Sequence, residues 1–181
     1  MSKKIRWITE TAIMLALLVT LQALTKGFGQ LVTGTFVNAV LAVTVLVAGL
    51  SSGMTVAILS PVLAFLLKIA PQILTVPAIM VGNSVYVLLL YWLAGKNRRK
   101  PVYRLTAWLS AAVAKFLVLY GIVKGVICGI LAEDLLAAGI LKAPMLNILP
   151  ATFSWPQLFT ALAGGAAALL IVPVLRKALH K

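Results

Sequence analysis

The amino-acid sequence predicts an all-α integral membrane protein, a single domain over residues 1–181 with six transmembrane helices and both termini on the cytoplasmic side. Three observations carry that expectation. Of 181 residues, 62% are hydrophobic and 10% charged, and the mean hydropathy is +1.10, a composition whose outer surface suits hydrocarbon rather than water. Apolar segments recur at 8–25, 36–50, 54–70, 73–94, 105–131 and 156–175, near the roughly 20 residues that a bilayer-crossing helix needs. The third observation is the placing of the basic residues. Lys3, Lys4 and Arg6 precede the first segment, Lys96, Arg98, Arg99, Lys100 and Arg104 follow the fourth, and Arg176, Lys177 and Lys181 follow the sixth. Lys and Arg in short loops stay on the cytoplasmic side, and six crossings put all three clusters there.

Each segment has its own reason. The first follows a basic stretch, so it also reads as a signal peptide; its length and the lack of an A-x-A site favour a retained helix. Ala12 and Ala16, with Thr20 a turn further, place small side chains on one face of it, which admits close approach of another helix. Gly27, Gly29 and Gly34 predict a pliable connection to the second segment, containing Gln30, Thr33 and Thr35. The second segment carries Asn38. The third, joined to it through Ser51, Ser52 and Gly53, contains Pro61 and is open to a kink or tilt. Pro71, Gln72 and Pro77 predict a stiff turn before the fourth, which holds Asn83, Ser84 and Tyr86. The fifth contains Lys115 and Lys124. The sixth has a small-residue patch at Gly164, Gly165, Ala166, Ala167 and Ala168. Before it runs the longest connection, Ala132 to Pro156. There a surface helix at about 133–142, with Glu133 and Asp134 at its start and Lys142 at its end, complements a helix dipole. This connection reads either as a lid over a cavity or as a passive link with Trp155 as an interfacial anchor.

Composition excludes several functions. The net charge of +13 is topological, since there is no soluble domain to present a basic face to nucleic acid. His180 is the only histidine, Glu10, Glu133 and Asp134 are the only acids, and Cys128 is alone in an apolar helix. No metal cluster, P-loop or nucleophile–base arrangement is present, so neither an enzyme nor a cofactor is expected.

What remains is the intramembrane charge. Five lysines lie outside the clusters: Lys26, Lys68, Lys115, Lys124 and Lys142. Counting about 1.5 Å per residue from Tyr103, Lys115 lies about 18 Å into the fifth helix, near midplane, and Lys124 about 31 Å in. Lys26, Lys68 and Lys124 can snorkel to headgroups. A charge at a helix centre is penalised by roughly 2.5–3.5 kcal/mol on insertion scales, so Lys115 requires either a structural partner or an anionic ligand. Asn83 falls at a similar depth, as a site residue or as an interhelical hydrogen bond.

Taken together, these features resemble the substrate-binding S components of energy-coupling factor (ECF) vitamin transporters. The resemblance covers essentially the whole chain. It rests on six spans in about 180 residues, N-in and C-in topology, Ala12-x-x-x-Ala16, the stretch Gly29-Gln30-Leu31-Val32-Thr33-Gly34 leading into Val37-Asn38-Ala39, and the long loop before the last helix. It implies a high-affinity binding subunit in the plasma membrane of a prokaryote. The implied partners are a transmembrane coupling subunit contacted through Ala12 and Ala16 and two cytoplasmic ATPases. It also implies a pocket in the outer half containing Asn83, Lys115, Gln30, Gln72 and Trp155, and Asn38 is a further candidate for binding the substrate. Lys115 favours a carboxylate or phosphate over a neutral or cationic solute. A stand-alone secondary transporter and a scaffold without a solute are the alternatives.

Overall fold

The computed structural model describes residues 2–69, 72–94 and 101–179. Pro71, His180, Lys181 and four members of the middle basic cluster, Lys96, Arg98, Arg99 and Lys100, lie outside the described residues. Among those described, every regular element is helical: α1 (Lys3–Thr25), α2 (Gln30–Val47), α3 (Leu50–Leu66), α4 (Val76–Ala94), α5 (Pro101–Tyr120), α6 (Ala132–Ala137), α7 (Met145–Thr152) and α8 (Trp155–Ala178). Short 3-10 turns at Lys26–Phe28 and Ile73–Thr75 lead into α2 and α4, and a π-helical stretch, Gly121–Ile130, prolongs α5.

Among the described residues, five helical stretches are long and apolar enough to cross a bilayer: Lys3–Phe28, Gln30–Val47, Ile73–Ala94, Val102–Ile130 and Met145–Ala178. That suits a membrane-embedded protein. α3 departs from the expected set of six spans. With 17 residues it extends only about 25 Å at 1.5 Å per residue, short of a hydrocarbon core of about 30 Å. Its limits are set by backbone. Gly49 takes φ 97° and releases α3 at Leu50, four residues before the expected start. At the other end Lys68 adopts φ 56°, and Ile69 N–H donates to the Ala64 carbonyl at 2.8 Å, closing the helix with a left-handed cap. Lys26 Nζ donates to the Lys68 carbonyl at 2.6 Å, so one of the remaining lysines caps the turn made by another.

Two other boundaries moved. Gly29, at φ 86°, ends the α1–α2 connection, so Gln30, Thr33, Gly34 and Thr35 belong to α2 rather than to a pliable loop. The surface helix expected at 133–142 is shorter, because Gly139 at φ 69° reverses the chain after Ala137 and leaves Lys142 beyond the helix. The sequence reading had no counterpart for α7.

Helix directions follow from cross-contacts. α2 and α8 run parallel, since Gly34 sits against Thr160 near their starts and Arg176 donates to the Leu46 carbonyl at 2.5 Å near their ends. α1 and α3 run parallel too, with Thr11 Oγ1 bonded to Ser52 Oγ at 2.8 Å and Lys26 to Lys68. The first described residues and the end of α8 therefore share the end of the bundle where α2 turns into α3.

α2 is central, with a continuous buried run from Asn38 to Leu46, as expected of a helix apolar all round. Its close partner is α8, whose inward stripe is Gln157, Thr160, Ala161, Gly164, Gly165, Ala168 and Val172. A Cβ on Gly164 would come within 2.5 Å of the Thr35 carbonyl oxygen and 2.7 Å of Ala39 N. Small side chains thus let two backbones meet directly. α1 is peripheral: only Thr11, Leu18 and Thr25 are buried, while Ala12, Ala16 and Thr20 are exposed alongside Ile13 and Leu17.

Candidate binding site

Lys115 points into the bundle because of helical period. Ala107, Ala111, Lys115 and Leu119 recur every four residues on the buried face of α5. The neighbouring α4 comes close because Gly82 lacks a side chain, where a Cβ would lie 2.5 Å from Leu119 Cγ. That approach carries Asn83 onto Lys115. Lys115 is 2% exposed, and its ammonium donates to Asn83 Oδ1 at 2.7 Å and to Asn38 Oδ1 at 2.6 Å. It also lies 5.4 Å from the centroid of the Tyr86 ring, a favourable cation–π placement.

The supporting bonds fix these amides. Asn38 Nδ2 donates to the Gly34 carbonyl at 2.8 Å and to Thr160 Oγ1 at 3.3 Å, and Thr160 Oγ1 donates to the Gln157 carbonyl at 3.1 Å. Tyr86 donates its hydroxyl to the Ala161 carbonyl at 3.3 Å. Asn38 therefore has one orientation, oxygen toward Lys115. Asn83 is held from one side only: it is 1% exposed, and its Nδ2 has no hydrogen-bond partner among the described residues. Such an unmet buried donor costs about 1–3 kcal/mol.

Lys115, Asn38 and Asn83 border a cavity of about 320 Å³, within the range of small-molecule sites. α1 and α2 contribute Gln22, Gln30, Thr33, Gly34 and Val37 to its wall; Ala64, Ile69, Gln72, Thr75 and Ile79 come from α3, α4 and the chain between them. Its remaining wall is Met145, Ile148, Leu149, Thr152 and Phe153 from α7 and its end, with Gln157 of α8. Amides, hydroxyls and apolar groups thus surround one cation, and among the described residues no acidic side chain lines the cavity. Gln72 Nε2 lies 3.0 Å from Met145 Sδ, joining the approach to α4 with α7 across the cavity.

The structure therefore brings together Lys115, Asn83, Asn38, Gln30 and Gln72. It does not bring Trp155, which is 62% exposed and stacks on Phe116 with centroids 5.5 Å apart, outside the cavity. The reason is its position as the first residue of α8, where the inward stripe begins two residues later at Gln157. Lys124 faces outward over the Tyr120 ring at 5.3 Å and takes no part. Of the long connection, α7 lines the cavity. Sequence reasoning missed Gln22, Thr75, Gln157 and the α7 residues. Gln22 carried the signal that singled out Asn38, an amide inside an apolar helix; α7 carried none, because its residues are ordinary for a connecting segment.

Among the described residues, no group of three or more His, Cys, Asp and Glu side chains is placed to hold a metal. No family model, curated protein or solved structure matches the chain.

Proposed function

We propose that this protein is a membrane-embedded, high-affinity binding subunit for a small anionic micronutrient, working as the S component of an ECF-type importer. One observation carries the binding role: a buried lysine, held by two neutral amides and no carboxylate among the described residues, borders a cavity of about 320 Å³. A purely structural lysine needs no cavity. An anion entering it supplies the opposite charge that the amides do not, and so stabilises a group otherwise disfavoured at membrane depth.

In this reading, the cavity end faces outward and the end with both termini faces the cytoplasm. The exposed face of α1 around Ala12 and Ala16 docks on the transmembrane coupling subunit, and two ATPases supply the energy. Purified protein should retain a small molecule by native mass spectrometry and be stabilised by it, by about 4 kcal/mol at 1,000 times the dissociation constant. Ala12→Phe or Ala16→Phe should leave that binding intact and block uptake in cells. Uptake that continues without any ATPase would replace the importer with a secondary transporter, and failure to bind any solute would replace it with a scaffold.

A further inference from the structure

We infer that the cavity selects a monocarboxylate bearing at least one neutral hydrogen-bonding group, an amide or hydroxyl, over phosphate esters, dicarboxylates and plain fatty acids; this rests on the binding-subunit reading. The charge count comes first. Among the described residues Lys115 is the only charged side chain lining the cavity, and two of its three N–H donors are engaged by Asn38 and Asn83. One N–H is left for one anionic oxygen. A phosphate monoester carries about −1.5 to −2 at pH 7, so part of its charge would be buried without a counter-ion, as would the second group of a dicarboxylate.

The polar wall sets the rest of the ligand. Among the described residues, Gln22 Oε1 is a buried acceptor without a partner, and Asn83 Nδ2 is a buried donor without one. A carboxylate on Lys115 lies beside Asn83 and can take that N–H through its second oxygen. An N–H or O–H elsewhere on the ligand satisfies Gln22 once that side chain turns its covered oxygen toward the cavity it lines. A plain fatty acid offers nothing to Gln22 or to the other glutamines of the wall, and would leave them desolvated and unmatched. The apolar side chains of α7, among them Ile148 and Leu149, cover the intervening carbon skeleton.

The test is equilibrium dialysis of the full-length detergent-purified protein against a small-molecule extract of the cells that express it. The retained compound is then analysed by methylation, phosphorus content and mass. A single carboxyl, no phosphorus and at least one amide or hydroxyl are expected. Retention of a phosphate ester, a dicarboxylate or a plain fatty acid overturns this inference but leaves the anion-binding reading standing; retention of an uncharged compound overturns this inference and the anionic part of that reading, leaving only a binding role. Retention of nothing overturns both. The retained acid and its methyl ester are then titrated against the native protein and against Lys115→Gln, with folding checked by thermal melting. The native protein should prefer the acid by about 10- to 100-fold, the value of one charge-assisted hydrogen bond, and the variant should lose that preference. Equal weakening of acid and ester would make Lys115 structural and overturn the assignment.

Discussion

Asn83→Asp separates the electrostatic role of Lys115 from its packing role. The replacement is isosteric, and because Asn83 Nδ2 has no partner among the described residues, exchanging that NH2 for oxygen breaks no hydrogen bond. It places a carboxylate where the amide oxygen now stands, 2.7 Å from Lys115 Nζ. At an effective dielectric of about 20 the gross attraction at that distance is about 6 kcal/mol, while burying the carboxylate costs several kcal/mol. The net effect on stability is therefore small. The effect on an anionic ligand is large. Lys115 is neutralised in advance, so the ligand loses a charge-assisted hydrogen bond of about 1.5–3 kcal/mol and meets a like charge, weakening binding by at least about 10- to 100-fold. Isothermal titration with the acid retained by the native protein, beside thermal melting of the empty variant, reads both quantities. If the Asn83→Asp variant melts normally and binds the acid within about threefold of the native protein, the claim that Lys115 provides the anion site is refuted.

The remaining predictions concern packing and closure. Gly164→Ala should destabilise the bundle by about 1–3 kcal/mol or more, because its Cβ meets the α2 backbone. Gly121→Ala, with no atom within 4 Å of the new Cβ, should shift stability by no more than about 1 kcal/mol; thermal melts of the pair compare them directly. Met145→Ala removes the contact between Gln72 and α7 and should raise the ligand dissociation rate more than it lowers the association rate, measured by stopped-flow or filter release. Trp155→Ala should leave affinity within about twofold, because the ring stacks on Phe116 away from the cavity and peripheral contacts contribute little.

Much of the bundle was legible in the chain because its causes are local. Bilayer-length apolar runs report helices, whereas the buried face of α5 through Ala107, Ala111, Lys115 and Leu119 came only with the packing. Asn38, Asn83, Gln30 and Gln72 were visible as candidates because amides in an apolar setting demand partners. Boundaries were less legible. Gly29, Gly49 and Gly139 take positive φ, whereas Gly34 and Gly164 sit inside helices where another element packs against them, and nothing local distinguishes the two uses.

The sequence by itself determined that the protein is helical and suited to a membrane, and that a lysine needing compensation lies deep in its fifth apolar segment; composition and periodicity are properties of the chain alone. Only the tertiary structure decided what compensates it. Asn38 and Asn83 reach the same ammonium from positions 77 and 32 residues away, Asn83 through the close approach of α4 to α5 at Gly82. The same packing turned Trp155 outward and laid α7 along the cavity. Such meetings depend on where whole helices cross, and a chain read residue by residue does not contain the crossing.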